Sequence, residues 1–373
     1  MMTPRDRLLT TLRHQEPDRI PTTARLWLDT RLKLQQHYGV NTDDALYEVM
    51  GIDNSAVTVQ PLTPADWIPP PEYVQFCELI GYELHSQYST YEEWGIKRKL
   101  GSKGKSVLRQ FYFTLHPWES FTTPREIEDA EIPDLSAKGR FDQAKQVIKA
   151  KKQTNVIWGG LGHILWTKGW ELRGMMQLMK DLHTNPPMAN AILDKLIEYN
   201  LEKADRLLNL GCDGLSVSED WGNNYSMFIN PKLWRTYFKP RYETLFQKAK
   251  QRGKYIFFHS DGNITPIVGD LVEIGVDSLN PVQPECMNQL AIKQQYGDKI
   301  TIDTGLSNQH TLPFGTTDEV KQETLRAIKD LAPGGGFVYG TSHFALYDVP
   351  VENVITLYET LKDYGSYPIQ IPS

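Results

Sequence analysis

The stretch "PRYETLFQKAKQRGKYIFFHSD", residues 240–261, joins a helical pattern to a short apolar run. Its first part reads as an amphipathic helix ending near Gly253, where a helix C-terminus favours glycine. Its second part, "KYIFFHSD" (254–261), is too short for a helix and rich in β-branched and aromatic residues, as a buried strand is. The same alternation recurs along the chain. Short runs lie at 20–26 ("IPTTARL"), 54–60 ("NSAVTVQ"), 155–161 ("NVIWGGL") and 213–220 ("DGLSVSED"). Three more follow 254–261, at 277–283 ("DSLNPVQ"), 299–306 ("KITIDTGL") and 335–343 ("GGFVYGTSH"). Helical stretches separate most of these eight runs, which implies parallel strands with crossover helices. Eight such units predict an α/β fold, the (β/α)8 TIM barrel. The spare length falls between the second and third runs. There "YSTYEEWGIKRKL" and "SVLRQFYFTLHP" predict an antiparallel β-hairpin inserted at the rim. Before the first strand, Thr3 as N-cap, Pro4 at the first helical position and Leu8, Leu9 and Leu12 at helical spacing predict an N-terminal helix. No linker rich in Pro, Gly or Ser divides the chain, so residues 1–373 are expected to form one domain.

The 373 residues are 40% hydrophobic and 23% charged, with a net charge of -6. This balance, without a basic stripe, argues against nucleic-acid binding. The basic cluster "KRKLGSKGK" (97–105) reads as a solvated hairpin. No run of roughly 18 apolar residues is present to cross a membrane. The N-terminal segment is charged and has no apolar h-region, so no secretory signal is expected. Cys77, Cys212 and Cys286 are distant in sequence and odd in number, which fits a reducing cytoplasm better than a disulfide framework.

In this barrel the active site lies at the C-terminal ends of the strands. The polar residues there are Arg25 and Asp29, then Gln60, His163, Glu219 and Asp220. The later strands add His259 and Asp261, Asn280, Gln283, Glu285 and Cys286, Asp303, and Ser342 with His343. Singly, several have plain explanations. His163 reads as a loop or helix-start residue, Asp303 as a turn cap, and Cys286 as an unreactive thiol. Trp221 and Trp166 serve equally as packing anchors or as a pocket wall. His259 and Asp261, two residues apart, point the same way from an extended backbone. They could form half a metal site, an acid/base pair or a polar strand end. Glu219, Asp220, His259, Asp261 and His343 together at one rim read as functional, with Glu219 and Asp220 as the catalytic carboxylates. Arg25, Gln60, His163, Trp221, Gln283 and Asp303 are the expected substrate contacts.

The sequence resembles the uroporphyrinogen decarboxylase-like superfamily, which includes true uroporphyrinogen decarboxylases and zinc-dependent, corrinoid-linked methyltransferases. The resemblance covers nearly the whole chain. It is carried by "PRDRLLTTLRHQEPDRIP", "EEWGIKRKL", "DGLSVSEDWGNN", "LWRTYFKPRYETLF", "FFHSDGNITPIVGDLVEIGVDSLNPVQPECM" and the closing "TLPFGTTDEV…LAPGGGFVYGTSHFALYDVPVENVITLYE". It implies a (β/α)8 barrel, in agreement with the eight runs. The decarboxylases carry an arginine-rich motif early in the barrel and an essential aspartate after the second strand. Here "TTARLWLDTRL" keeps Arg25 and Arg31, and Gln60 takes the place of the aspartate. True uroporphyrinogen decarboxylation is therefore not expected.

The methyltransferases hold zinc with His-x-Cys at the fifth strand and Cys at the eighth. The resemblance places His259, Asp261 and His343 at these positions. That harder set suits a divalent metal, zinc first, with iron or manganese also served. It implies metal-dependent methyl transfer on a small polar substrate, with any corrinoid on a separate partner protein; the family also often forms homodimers. Two alternatives stay open. One is a metal-free decarboxylase or lyase acting on a small carboxylated substrate, with Arg25, Arg31 and Arg173 as candidate cations. The other is a non-catalytic binding protein.

Overall fold

The structure, a computed structural model, describes residues 2–64, 71, 74, 91–100 and 111–371. Strands β1 (Thr22–Thr23), β2 (Ala56–Val59), β5 (Val156–Gly162), β6 (Gly214–Asp220), β7 (Tyr255–Asp261), β8 (Ser278–Asn280), β9 (Thr301–Leu306) and β10 (Phe337–Thr341) form one parallel sheet. Its order is β1-β10-β9-β8-β7-β6-β5-β2, with every neighbouring pair parallel. The eight predicted runs are these eight strands. The sheet curls round on itself, because residues of all eight strands line a single interior cavity of about 210 Å³. Helices cover the outside, among them Pro186–Asn209, Lys239–Lys250, Thr317–Leu331 and Val351–Tyr364. Their apolar faces and the outward faces of the strands make the main core. The predicted insertion appears as β3 (Lys97–Leu100) paired antiparallel with β4 (Phe111–Leu115). Residues 101–105 of the basic cluster, and Cys77, lie outside the described residues.

The first helix, Pro4–Leu12, closes the N-terminal end of the barrel. Thr3 accepts a hydrogen bond from the Asp6 amide and Pro4 occupies the first turn, as predicted. Leu8 and Leu12 pack against Val156, Trp158 and Val338 at the base of the barrel. Arg5 donates to both oxygens of Asp213, just before β6, at 2.6 and 2.7 Å.

Among the described residues β1 and β2 are the two ends of the sheet and share no backbone ladder. Side chains join them instead. The Thr22 amide donates to Asp53 at 3.0 Å, and the Asp53 amide donates to the Thr22 hydroxyl at 2.9 Å. Asp53 is buried and paired with Arg7 and Arg19, which supply the positive charge that a buried carboxylate needs.

Alternation along each strand decides which side chains enter the barrel. Thr58, Trp158, Ser216, Phe257, Ser278, Asp303 and Val338 all line the interior cavity. By the same parity Gln60, Asp220, His259, Asp261 and Asn280 point inward at the C-terminal ends. Two glycines make room. A Cβ on Gly160 would meet Thr58 at 2.7 Å and Gln60 at 3.1 Å, and one on Gly340 would meet the Thr23 carbonyl at 1.8 Å.

Candidate metal centre and active site

His259 and Asp261 end β7, and His343 follows β10. One ligand atom from each lies within 4.8 Å of the other two. His259 Nε2 is 3.7 Å from Asp261 Oδ1, and His343 Nε2 is 3.6 Å from Asp261 Oδ2. A tetrahedral ion with nitrogen and oxygen ligands at about 2.1 Å separates those atoms by roughly 3.4 Å. Each of these two contacts is within a few tenths of an ångström of that spacing, and because they use different oxygens of Asp261, the carboxylate would meet an ion with both or turn to offer one. Asp261 Oδ1 is a buried oxygen with no hydrogen-bond partner among the described residues, as an atom awaiting a cation would be. Burial and the nearby Arg25 charge hold the His259 pKa below its usual value, so the ring stays neutral. His343 is shifted the same way, by burial first. Neutral imidazole is the form that binds metal.

The residues around the triad have defined roles. Asp220 is the register partner of Asp261 on β6, so the two carboxylates project side by side. Gln283 accepts a hydrogen bond from the Gly262 amide at 2.6 Å and so steadies the turn after Asp261. Arg25 donates to Asn280 at 2.8 Å and has no ion pair among the described residues. Asn280 in turn donates to Asp303 at 2.7 Å. Burial raises the Asp303 carboxyl to about 6, against the opposing pull of Arg25 and Asn280. Gln60 Oε1 is buried without a partner among the described residues. Burial, then Glu285 and Asp261, push the Cys286 thiol up to about 11, so it is protonated at neutral pH.

Four expectations are corrected. Glu219 is fully buried and faces away from the barrel interior, being one residue out of phase with Asp220. Its Oε1 accepts from the Leu165 amide at 2.8 Å and the Tyr242 hydroxyl at 2.8 Å, and its Oε2 from the Thr167 amide at 2.8 Å. These amides open the helix Trp166–Arg173, and a carboxylate there satisfies donors that have no intrahelical partner. Glu219 is therefore a structural carboxylate and not a catalytic one. Trp221 is also fully buried; it stacks on Trp166 and meets Phe238 edge to face, which makes it a packing anchor and not a pocket wall. Arg31 is taken by Asp43 at 2.8 Å. Arg173 is buried against Asp181 and the carbonyls of Trp118, Glu119 and Phe121. Of the three candidate cations, Arg25 alone faces the interior cavity.

His163 Nδ1 lies 2.8 Å from Glu171, which also pairs with Lys168. Burial would lower the His163 pKa, but the Glu171 carboxylate overrides burial and raises it; Glu171 itself falls to about 2. The raised histidine stabilises the fold below the unfolded value, and that contribution is lost as pH rises through the folded pKa. In Glu171→Gln the His163 pKa should fall below the usual value of about 6.5, as read by NMR titration. An unmoved titration would show that Glu171 is not what holds it.

Sequence reading passed over Asn280 as one polar strand end among many, although it touches three other strands. It also left out Trp27, whose Nε1 is buried without a partner among the described residues and whose ring meets Phe344, beside His343. Only its place just after the first strand could have marked it.

Comparison with known proteins agrees with this architecture. A methyltransferase from Methanosarcina mazei superposes with a TM-score of 0.67 at 21% identity, covering 98% of this chain and 99% of the other. The uroporphyrinogen decarboxylase of Pelodictyon phaeoclathratiforme is 22% identical over 253 residues, 64% of this chain and 69% of the relative. That of Psychromonas ingrahamii is 20% identical over 246 residues, 62% of this chain and 66% of the relative, so the match spans about two thirds of each. The family profile described as "Uroporphyrinogen decarboxylase (URO-D)" matches residues 116–364, from the start of β5's preceding segment through the last helix. With six of the eight barrel strands, β5 to β10, and the strand-end triad inside that span, the chain belongs to the uroporphyrinogen decarboxylase family.

Proposed function

We propose that this chain is a metal-dependent enzyme that transfers a methyl or other one-carbon group on a small polar substrate, with His259, Asp261 and His343 holding the metal. The observation that carries the reading is the convergence of three ligand atoms within 4.8 Å at the end of the barrel where catalysis occurs. Zinc is the first choice, and iron or manganese suit the same two-nitrogen, one-carboxylate set. Such an ion supplies Lewis acidity and can activate a bound oxygen nucleophile. Asp220, beside Asp261, is placed to take or return a proton. Arg25, a guanidinium without an ion pair among the described residues, offers its charge to an anionic group of the substrate. The methyl-transfer element draws on the resemblance to the corrinoid-linked enzymes and on the likeness to the Methanosarcina methyltransferase. A corrinoid, if used, would be carried by a separate protein. The unpaired, buried Cys212 and Cys286 support a reducing, cytoplasmic setting.

A second reading has its own support. Asp303, with a carboxyl raised to about 6, lies near Arg25 on the same cavity, an acid beside a cation for a substrate carboxylate. That arrangement suits a metal-free decarboxylase or lyase. Elemental analysis of the purified protein, with assays for methyl transfer and for CO2 release, separates the two. About one equivalent of metal and methyl transfer that stops on chelation are expected. A protein that takes up no zinc, iron or manganese and releases CO2 would establish the second reading in its place.

A further inference from the structure

Asn280 occupies the centre of a hydrogen-bonded junction between four strands. Its Oδ1 lies 2.7 Å from His259 Nδ1 on β7 and 2.8 Å from Arg25 Nη2, just beyond β1. Its Nδ2 lies 2.7 Å from Asp303 Oδ1 on β9 and 3.3 Å from the Asp303 carbonyl. Asn280 and His259 are register partners, so the ladder itself sets the amide against the ring. The neighbours decide which end of the amide points where. A guanidinium has donors only, so the atom facing Arg25 must be the oxygen. Both Asp303 atoms are acceptors, so the opposite end must be the NH2. A flipped amide would set N–H against N–H at one end and oxygen against oxygen at the other, in a buried place where unmatched groups are costly.

The orientation of the amide then determines the histidine. An oxygen at 2.7 Å from Nδ1 requires that Nδ1 carry the proton. The lone pair of the neutral ring is left on Nε2, the atom 3.7 Å from Asp261 Oδ1. The other tautomer would oppose two lone pairs at Nδ1 and put a hydrogen where the ion must bind.

We propose that Asn280 is the positioning residue of the metal centre: oriented by Arg25 and Asp303, it fixes His259 in the tautomer whose Nε2 lone pair faces the metal. The proposal rests on the metal reading above for its purpose, but the tautomer is a property of the metal-free protein. It therefore has a test that needs no activity. In metal-free wild-type protein labelled with ¹⁵N-histidine, long-range ¹H–¹⁵N correlation spectra should show a protonated, pyrrole-type Nδ1 and an unprotonated Nε2 for His259. The signals are assigned by their loss in His259→Gln. Zinc binding is then measured by competition with a chromophoric chelator. Asn280→Leu, similar in size but without the acceptor, should weaken zinc binding about 10- to 100-fold. A wild-type His259 protonated on Nε2 overturns the proposal, as does zinc affinity unchanged in a folded Asn280→Leu. A wild type that takes no zinc but carries its proton on Nδ1 supports the tautomer assignment and overturns the metal reading.

Discussion

Replacing His259 by alanine should remove stoichiometric metal from the protein while leaving the barrel standing. With three protein ligands, each contributes roughly 3–4 kcal/mol of the binding free energy typical of zinc sites, so losing one weakens binding on the order of 10²- to 10³-fold. At micromolar protein that is the difference between retention and loss through a desalting column. His259 is a strand-end residue whose main-chain hydrogen bonds belong to the β6–β7–β8 ladder and survive the change. Far-UV circular dichroism should therefore be unaltered. The melting temperature in chelator should move little, whereas the rise on adding zinc to the wild type should vanish in the variant, because only the native state has the site. Inductively coupled plasma analysis and melting curves with and without zinc measure both. Equal metal content in wild type and His259→Ala would place the ion elsewhere or nowhere. His343→Ala should behave alike, since it too offers one Nε2 to the cluster.

The second large effect is expected at Glu219, where it falls on stability. Its carboxylate is fully buried and accepts from helix amides and from Tyr242. Glu219→Ala leaves those donors in a dry interior without acceptors, which costs about 3–5 kcal/mol. For a protein of ordinary stability this consumes a large share of the 5–15 kcal/mol available. Urea unfolding should show an earlier midpoint at unchanged slope. Glu219→Gln keeps the volume but turns an acceptor-only group into one that also carries donors, so it should be destabilised as well. A Glu219→Ala protein as stable as wild type, with activity gone, would return Glu219 to the chemistry.

Much of this was readable beforehand, and the misreadings are instructive. The eight strands were visible because parallel barrel strands are short, apolar and separated by long helical patterns. His259 and Asp261 were visible as partners because two residues along a strand is one full side-chain period. That same period should have told against Glu219: if Asp261 points inward and Asp220 is its register partner, the residue before Asp220 points out. Register, however, relates two strands and is not written in either. Arg31 and Arg173 looked available because their partners, Asp43 and Asp181, meet them only after helices bring them round. Asn280 shows the limit most clearly. Its importance lies in three contacts from β1, β7 and β9, and nothing in "DSLNPVQ" distinguishes it from an ordinary polar strand end.

The join between β1 and β2 has a mechanical consequence. Elsewhere the barrel wall is stitched by repeated main-chain bonds, and parting two strands means breaking a row of them together. Among the described residues this is the one place where the wall is buttoned, through Asp53 and Thr22, near the end opposite the metal centre. A buttoned edge can gape without unravelling its neighbours, and local opening of this kind is where proteins yield first. Of the two strands at this join, β1 has the shorter ladder, two register pairs to β10 against four between β2 and β5, and it leads directly into Arg25. Opening there would leave His259 and Asp261 in place, because β7 is laddered to a neighbour on both sides.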